Sequence, residues 1–154
     1  ELEIPTVIDA DAIYALDEGV WPKGMAGVAT PHARELRMWI WDEKPDKILA
    51  GDVSSESRVI IRTGAVDQLT GLEGRYCECT GGHPRMATGG TGDLLAGTVA
   101  GLLAQGMTSW SASRLACYVM RVAGMMTANE FGPGLLASDV PSHIARALAK
   151  LTAD

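Results

Sequence analysis

The chain has 154 residues, 47% of them hydrophobic and 21% charged, with a formal net charge of −6. That length and balance suit one folded domain over 1–154 and exclude a disordered chain, while the acidic excess leaves no basic stripe to neutralise phosphates, so no nucleic-acid partner is expected. The longest uncharged stretch, between Leu94 and Arg114, is broken by Gln105, Ser109, Ser111 and several glycines, which predicts a buried helix and a turn and no membrane partner.

In chain order, the apolar run at 4–8 predicts a buried strand, and Asp9 and Asp11 bracket a turn into a short helix. The plan then repeats, with a strand at 27–29, a tip at Thr30-Pro31 and a helix over 32–40; Pro31 suits the first turn of a helix. The charged, turn-rich segment 42–57 predicts a surface connection with a short helical piece. Strands follow at 59–61, 66–69 and 75–79, separated by turns at Gly64 and at 71–74. The last third predicts helices over 92–105, 109–130 and 140–151, the final one capped by Ser138 and Asp139 with Pro141 in its first turn.

Strands alternating with helices predict an α/β fold with a mainly parallel sheet. Ligands bind such sheets beyond the carboxyl ends of the strands, so the tips at 9–11, 30–32, 63–67 and 89–93 are expected to line one crevice. Cys77, Cys79 and Cys117 are an odd number without a disulfide framework. Cys77 and Cys79 share a strand face near His83, but a fourth ligand is missing and no metal site is expected.

The chemistry concentrates in "MATGGTGDLLAGTVAGLLAQG", which begins at Met86. Glycines against a helix N-terminus admit an anion to unpaired amides carrying partial positive charge. The stretch is neither a Walker A loop nor a dinucleotide-fold glycine motif. Asp93, in the first turn, either complements the helix dipole or acts on a hydroxyl beside a bound anion; a base next to an anion hole is the arrangement for phosphoryl transfer to an alcohol.

This block resembles the signature of the ADP- or ATP-dependent NAD(P)H-hydrate dehydratases of the ribokinase-like superfamily, and "VIDADAI", "TPHARE" and "GLLASDVPSHI" resemble further family signatures in the same order. The resemblance implies a three-layer ribokinase-like fold, of which this chain matches the C-terminal half of the catalytic domain, truncated at the N-terminal side. It implies repair of hydrated NADH or NADPH, a small-molecule substrate, by phosphorylation of the added hydroxyl and elimination of phosphate, with ADP or ATP as donor and Mg2+. On it Asp93 is the base and touches substrate, Gly90, Thr91 and Gly92 form the anion hole, and His32 contacts the dinucleotide, where its bland alternative is a helix-start cap. Thr63, Gly64, Ala65, Val66 and Asp67, with Gly92, match the adenine-nucleotide loop; Asp9 and Asp11 support the site or are turn residues only.

The sequence departs from the family pattern where the loop's lysine is Thr63 beside Arg62, where N-P-G-M is His83-Pro84-Arg85-Met86, where Tyr14 replaces an asparagine and where His-Gly is Met120-Arg121. Two other readings stand beside the dehydratase: a ribokinase-like small-molecule kinase, and a non-catalytic nucleotide-binding or assembly subunit. Glu1 in place of methionine, with no basic-then-apolar leader, predicts a processed product or a piece of a longer chain in the cytoplasm. A sheet cut at the first strand predicts a homo-oligomer or pairing with the missing N-terminal segment.

Overall fold

The computed structural model describes residues 4–41, 45–49 and 57–152. Its strands are β1 (Thr6–Ile8), β2 (Gly27–Ala29), β3 (Arg58–Arg62), β4 (Asp67–Gly71) and β5 (Tyr76–Cys79), and its helices are α1 (Asp11–Tyr14), α2 (Ala33–Ile40), α3 (Pro45–Leu49), α4 (Thr91–Ala104), α5 (Ser109–Phe131) and α6 (Val140–Thr152). One sheet holds the strands in the order β1-β2-β3-β4-β5. β1, β2 and β3 run parallel, and β4 and β5 extend them as an antiparallel meander. The parallel half carries the expected strand–tip–helix plan; the hairpins follow from connections too short for a crossover, which a parallel pairing needs. Of the charged connection, α3 is the expected helical piece; 42–44 and 50–56 lie outside the described residues.

Alternation along the central strands builds the layers. Val59 and Ile61 enter one core with Val28 and Leu69, under Leu95, Val99, Ala116 and Met120 of α4 and α5. Ile60 faces the opposite core with Ile8 and Ala29, against Leu36, Trp39 and Ile40 of α2 and Leu49 of α3. A strand buried on both faces reads as a continuous apolar run, as β3 does.

One expected cap is corrected. Asp139 does not cap α6: its Oδ2 accepts from the Leu136 amide at 2.9 Å, closing the 3-10 turn Ala137–Asp139 ahead of the helix. The turn's own first amide lies within reach of the carboxylate, and the local bond wins.

Gly27 is where glycine is obligatory. Its φ is +155°, and a Cβ there would lie 1.9 Å from the Thr6 carbonyl oxygen of the paired strand. Gly97 is the opposite case, a helical glycine with nothing within 4 Å of the Cβ position. Gly27→Ala is expected to lose about 3 kcal/mol of stability through strain and clash. Gly97→Ala is expected to gain about 1 kcal/mol through helix propensity. Urea denaturation monitored by circular dichroism checks both.

Candidate active site

The carboxyl ends of the parallel strands are stitched to one another. Thr30, 3% exposed, donates its amide to the Ile8 carbonyl at 3.0 Å and its hydroxyl to Asp9 Oδ1 at 2.7 Å. The Thr63 amide donates to the Pro31 carbonyl at 2.9 Å, and His32 and Thr63 form an isolated parallel bridge. Asp9, Thr30, His32 and Thr63 therefore sit on adjacent tips. Ala10, between Asp9 and Asp11, adopts φ 50° and ψ −130°, a conformation that costs a non-glycine residue about 1–3 kcal/mol and concentrates at functional tips. Asp11 is exposed as the first residue of α1.

His32 is the N-cap of α2. Its Nδ1 accepts from the Arg34 and Glu35 amides at 3.2 and 3.1 Å, while Glu35 Oε2 accepts from the His32 amide at 2.8 Å, a reciprocal capping box. Nδ1 as acceptor places the ring proton on Nε2, which faces Glu35 Oε1 at 3.3 Å. Both nitrogens are engaged by α2, and the side chain is 52% exposed, so its open surface is the ring itself.

At the glycine junction, Gly90 is the left-handed N-cap of α4, with φ 94°, and a Cβ on it would lie 3.0 Å from Ala137 Cβ. The Thr91 hydroxyl is turned into the loop, donating toward the Met86 and Thr88 carbonyls at 2.8 and 2.9 Å, and its amide faces the Thr88 carbonyl at 3.4 Å. The first amide bonded back into the helix is that of Leu94, to the Gly90 carbonyl at 3.2 Å. The amides of Gly90, Gly92 and Asp93 have no acceptor among the described residues. Nothing lies within 4 Å of a Cβ on Gly92, and the exposed Asp93 carboxylate has no hydrogen-bond or ion-pair partner among the described residues. The junction thus offers open space, free donors and a free carboxylate, a combination that accepts an anion and keeps a base beside it.

The 63–67 loop is fixed by a residue that the sequence reading met only as a departure. Arg121 on α5 donates Nε to Asp67 Oδ2 at 3.0 Å, Nη1 to the Ala65 and Gly81 carbonyls at 2.6 and 2.7 Å, and Nη2 to the Gly64 carbonyl at 2.9 Å, with Asp67 Oδ2 also 2.7 Å from Nη2. Asp67 Oδ1 accepts from the Gly64 amide at 3.1 Å. One turn along α5, Gly124 leaves room for Met86, whose Cγ would lie 2.6 Å from a Cβ there. The loop and the glycine junction are therefore both held by α5. A charged residue paired with Arg121 across the chain was the signal that pattern reading along α5 did not contain.

The thiols take no part at these tips. Burial raises the pKa of Cys77, opposed by Arg114, and of Cys79, opposed by Arg121; burial also pushes the fully buried Cys117 well above the usual thiol range. Cys77 and Cys79 line a cleft of about 550 Å³ with Arg114, Tyr118 and Leu151 that shares no residue with the strand tips. No group of three or more His, Cys, Asp or Glu among the described residues is placed to hold a metal ion, and no helix among them is long and apolar enough to cross a membrane. Because raised pKa values keep these sulfurs as thiols at neutral pH, a disulfide reagent at pH 7 is expected to label Cys77 and Cys79 more slowly than free cysteine. Cys117 is expected to react only on unfolding; labelling of all three at the free rate in the native chain would contradict this burial.

A family model described as NAD(P)H-hydrate dehydratase matches residues 1–146. The chain is 32% identical over 152 residues to the bifunctional NAD(P)H-hydrate repair enzyme Nnr of Methanothermobacter thermautotrophicus, covering 94% of this chain and 29% of that protein. It is 32% identical over 143 residues to the ADP-dependent (S)-NAD(P)H-hydrate dehydratase of Haloterrigena turkmenica, covering 93% of this chain and 53% of that one. The fold matches the ADP/ATP-dependent NAD(P)H-hydrate dehydratase from Bacillus subtilis co-crystallised with ATP/Mg2+, with a TM-score of 0.77, 22% identity, and coverage of 96% of this chain and 55% of that one. The chain thus spans about half the length of the shorter relatives and less of the bifunctional ones.

Proposed function

The chain belongs to the NAD(P)H-hydrate dehydratase family, and on that premise we propose that it takes part in nucleotide-dependent dehydration of hydrated NADH or NADPH, a carbon–oxygen lyase reaction of nicotinamide repair. The observation that carries the reading is the free amides of Gly92 and Asp93 opening a helix of fourteen residues beside an unpartnered Asp93 carboxylate. The Asp93 carboxylate takes the proton of the added hydroxyl as that oxygen bonds to the terminal phosphorus of ADP or ATP and the bridging P–O bond breaks, releasing AMP or ADP. The anion hole of Gly90, Thr91 and Gly92 stabilises the charge on the transferring group, with the Gly90 and Gly92 amides as donors. Loss of phosphate and of a ring proton then restores the reduced ring.

The nucleotide lies along Thr63, Gly64, Ala65, Val66 and Asp67 and reaches Gly92, whose open Cβ space fits the phosphates. Mg2+ would accompany the nucleotide and would offset the charge of its phosphates, since this ion favours phosphate and water oxygens. His32, its nitrogens committed to α2, meets the dinucleotide through its exposed ring. Asp9 supports this edge through Thr30. Residues 1–154 form one partial domain, acting in the cytoplasm. It works as a homo-oligomer or paired with an N-terminal segment along β1, a strand at the edge of the sheet. The non-catalytic nucleotide-binding reading is favoured by one observation: Thr63 places no cation where the family places its lysine.

Incubation with ADP or ATP, Mg2+ and hydrated NADH, followed by recovery of reduced-nicotinamide absorbance, separates the two readings; no recovery with nucleotide still bound leaves the non-catalytic one. Asp93→Asn is expected to lower turnover by about 10²–10⁴-fold with nucleotide affinity nearly unchanged. Gly92→Val is expected to weaken nucleotide binding in a folded protein, because the side chain fills space reserved for phosphate. Wild-type turnover in the Asp93 variant removes that residue from the mechanism. Sedimentation equilibrium at micromolar concentration is expected to give a mass above that of one chain, and a monomer would remove the homo-oligomer.

A further inference from the structure

We propose that Arg121 is a positioning residue that sets the backbone of the 64–66 loop for nucleotide, turning the Ala65 and Val66 amides outward as phosphate or base donors. The inference rests on the reading of 63–67 as the nucleotide loop.

A guanidinium has five N–H donors in a fixed fork, and here each has a partner: Nε on Asp67, two on Nη1 for Ala65 and Gly81, two on Nη2 for Gly64 and Asp67. The charge is neutralised by a carboxylate and the donors are spent, so Arg121 itself has nothing left for a phosphate. Its effect reaches the ligand through the peptide planes. In a planar trans peptide the C=O and the following N–H point in opposite directions, and the chain has no cis peptide among its described residues. Drawing the Gly64 and Ala65 carbonyls toward α5 therefore turns the Ala65 and Val66 amides away from it. Neither amide has an acceptor among the described residues. Successive outward amides in a turn make an anion-accepting concavity, and Ala65 is exposed while Val66 is half-buried.

The remaining contacts keep the loop from relaxing. Asp67, 7% exposed, holds the Gly64 amide through Oδ1 while Oδ2 is held by Arg121. The Gly81–Gly82 turn closes over the same side chain, since a Cβ on Gly82 would lie 3.0 Å from Arg121 Cδ. A lysine retains the charge but is a single point donor and does not span four separate acceptors. This arrangement gives the loop donors by backbone orientation where Thr63 supplies no cationic side chain.

The test uses the full chain with Arg121→Lys and Arg121→Met, read by amide proton exchange at Gly64 and by calorimetric affinity for ADP and ATP. Both variants are expected to speed exchange at Gly64 and to weaken nucleotide binding about tenfold or more, with the KM for hydrated NADH unchanged and Arg121→Lys failing to rescue. If the Met variant does not fold, Asp67→Asn, which keeps the acceptor for Gly64 but removes the counter-charge, is expected to give the same selective loss. Unchanged exchange at Gly64 overturns the clamp. Faster exchange with unchanged nucleotide affinity overturns its service to nucleotide while leaving the clamp in place. A wild-type chain that binds neither ADP nor ATP overturns the proposal at its premise, and is told apart by being seen before any substitution is made.

Discussion

The saturated guanidinium of Arg121 and the missing side chain of Gly124 lie three residues apart, on one face of α5. The first ties down Gly64, Ala65, Asp67 and Gly81, and the second admits Met86, whose carbonyl accepts the Thr91 hydroxyl at 2.8 Å. The 63–67 loop and the glycine junction come from chain segments more than twenty residues apart, and most of each lies outside regular structure, with Asp67 opening β4 and Thr91 opening α4. A shared helix face, with a rise of about 4.5 Å between anchors three residues apart, gives them a common frame. The parallel tips complete that frame from the other side, because Thr63 bonds to Pro31 and Thr30 to Asp9.

What the sequence made legible was local. Apolar runs bounded by glycine and aspartate place β1, β2 and β3 to within a residue or two, and the T-P-H tip yields a cap because His32, Arg34 and Glu35 are close neighbours. The junction is legible as a motif because Gly90, Thr91, Gly92 and Asp93 are consecutive, whereas its anchoring to α5 through Met86 and its packing against Ala137 are not. Arg121 was not legible as an anchor. Its acceptors lie 40 to 57 residues away along the chain, and an arginine within a long helix reads as a solvated position. The departures at Thr63 and at Met120-Arg121 are its sequence trace, and only the fold shows that Arg121 bonds the loop beside Thr63.

Local side-chain bonds decide the fate of Asp139 and the start of β4. Ser138 and Asp139 have the composition of a cap, but a 3-10 turn closes on itself first and spends the carboxylate on Leu136. β4 starts at Asp67 because that residue pairs with Cys79 in the ladder while its side chain reaches back to Gly64. One residue thus serves both the sheet and the loop, and the strand boundary is set by a side-chain bond that periodicity does not encode.

Charge sets the remaining condition on chemistry. A helix N-terminus carries about half a positive charge, and the Asp93 carboxylate stands in the first turn beside it, so an incoming phosphate would meet attraction from the amides and repulsion from the carboxylate. At about 4 Å, unit charges interact by about 1 kcal/mol in bulk water and about 4 kcal/mol at the effective dielectric near a protein surface. With Asp93 exposed as it is, the repulsion would lie near the smaller figure, so that the proposed nucleotide would be tolerated. On the proposed reading, substrate covering the carboxylate would exclude water and strengthen the repulsion, and taking the hydroxyl proton would neutralise Asp93 as the phosphoryl group arrives. On that reading the proton transfer would relieve the repulsion between the carboxylate and the phosphates. This ordering, anion first and carboxylate neutralised with the transfer, requires a base that no fixed cation pairs with, which is the state in which Asp93 stands among the described residues.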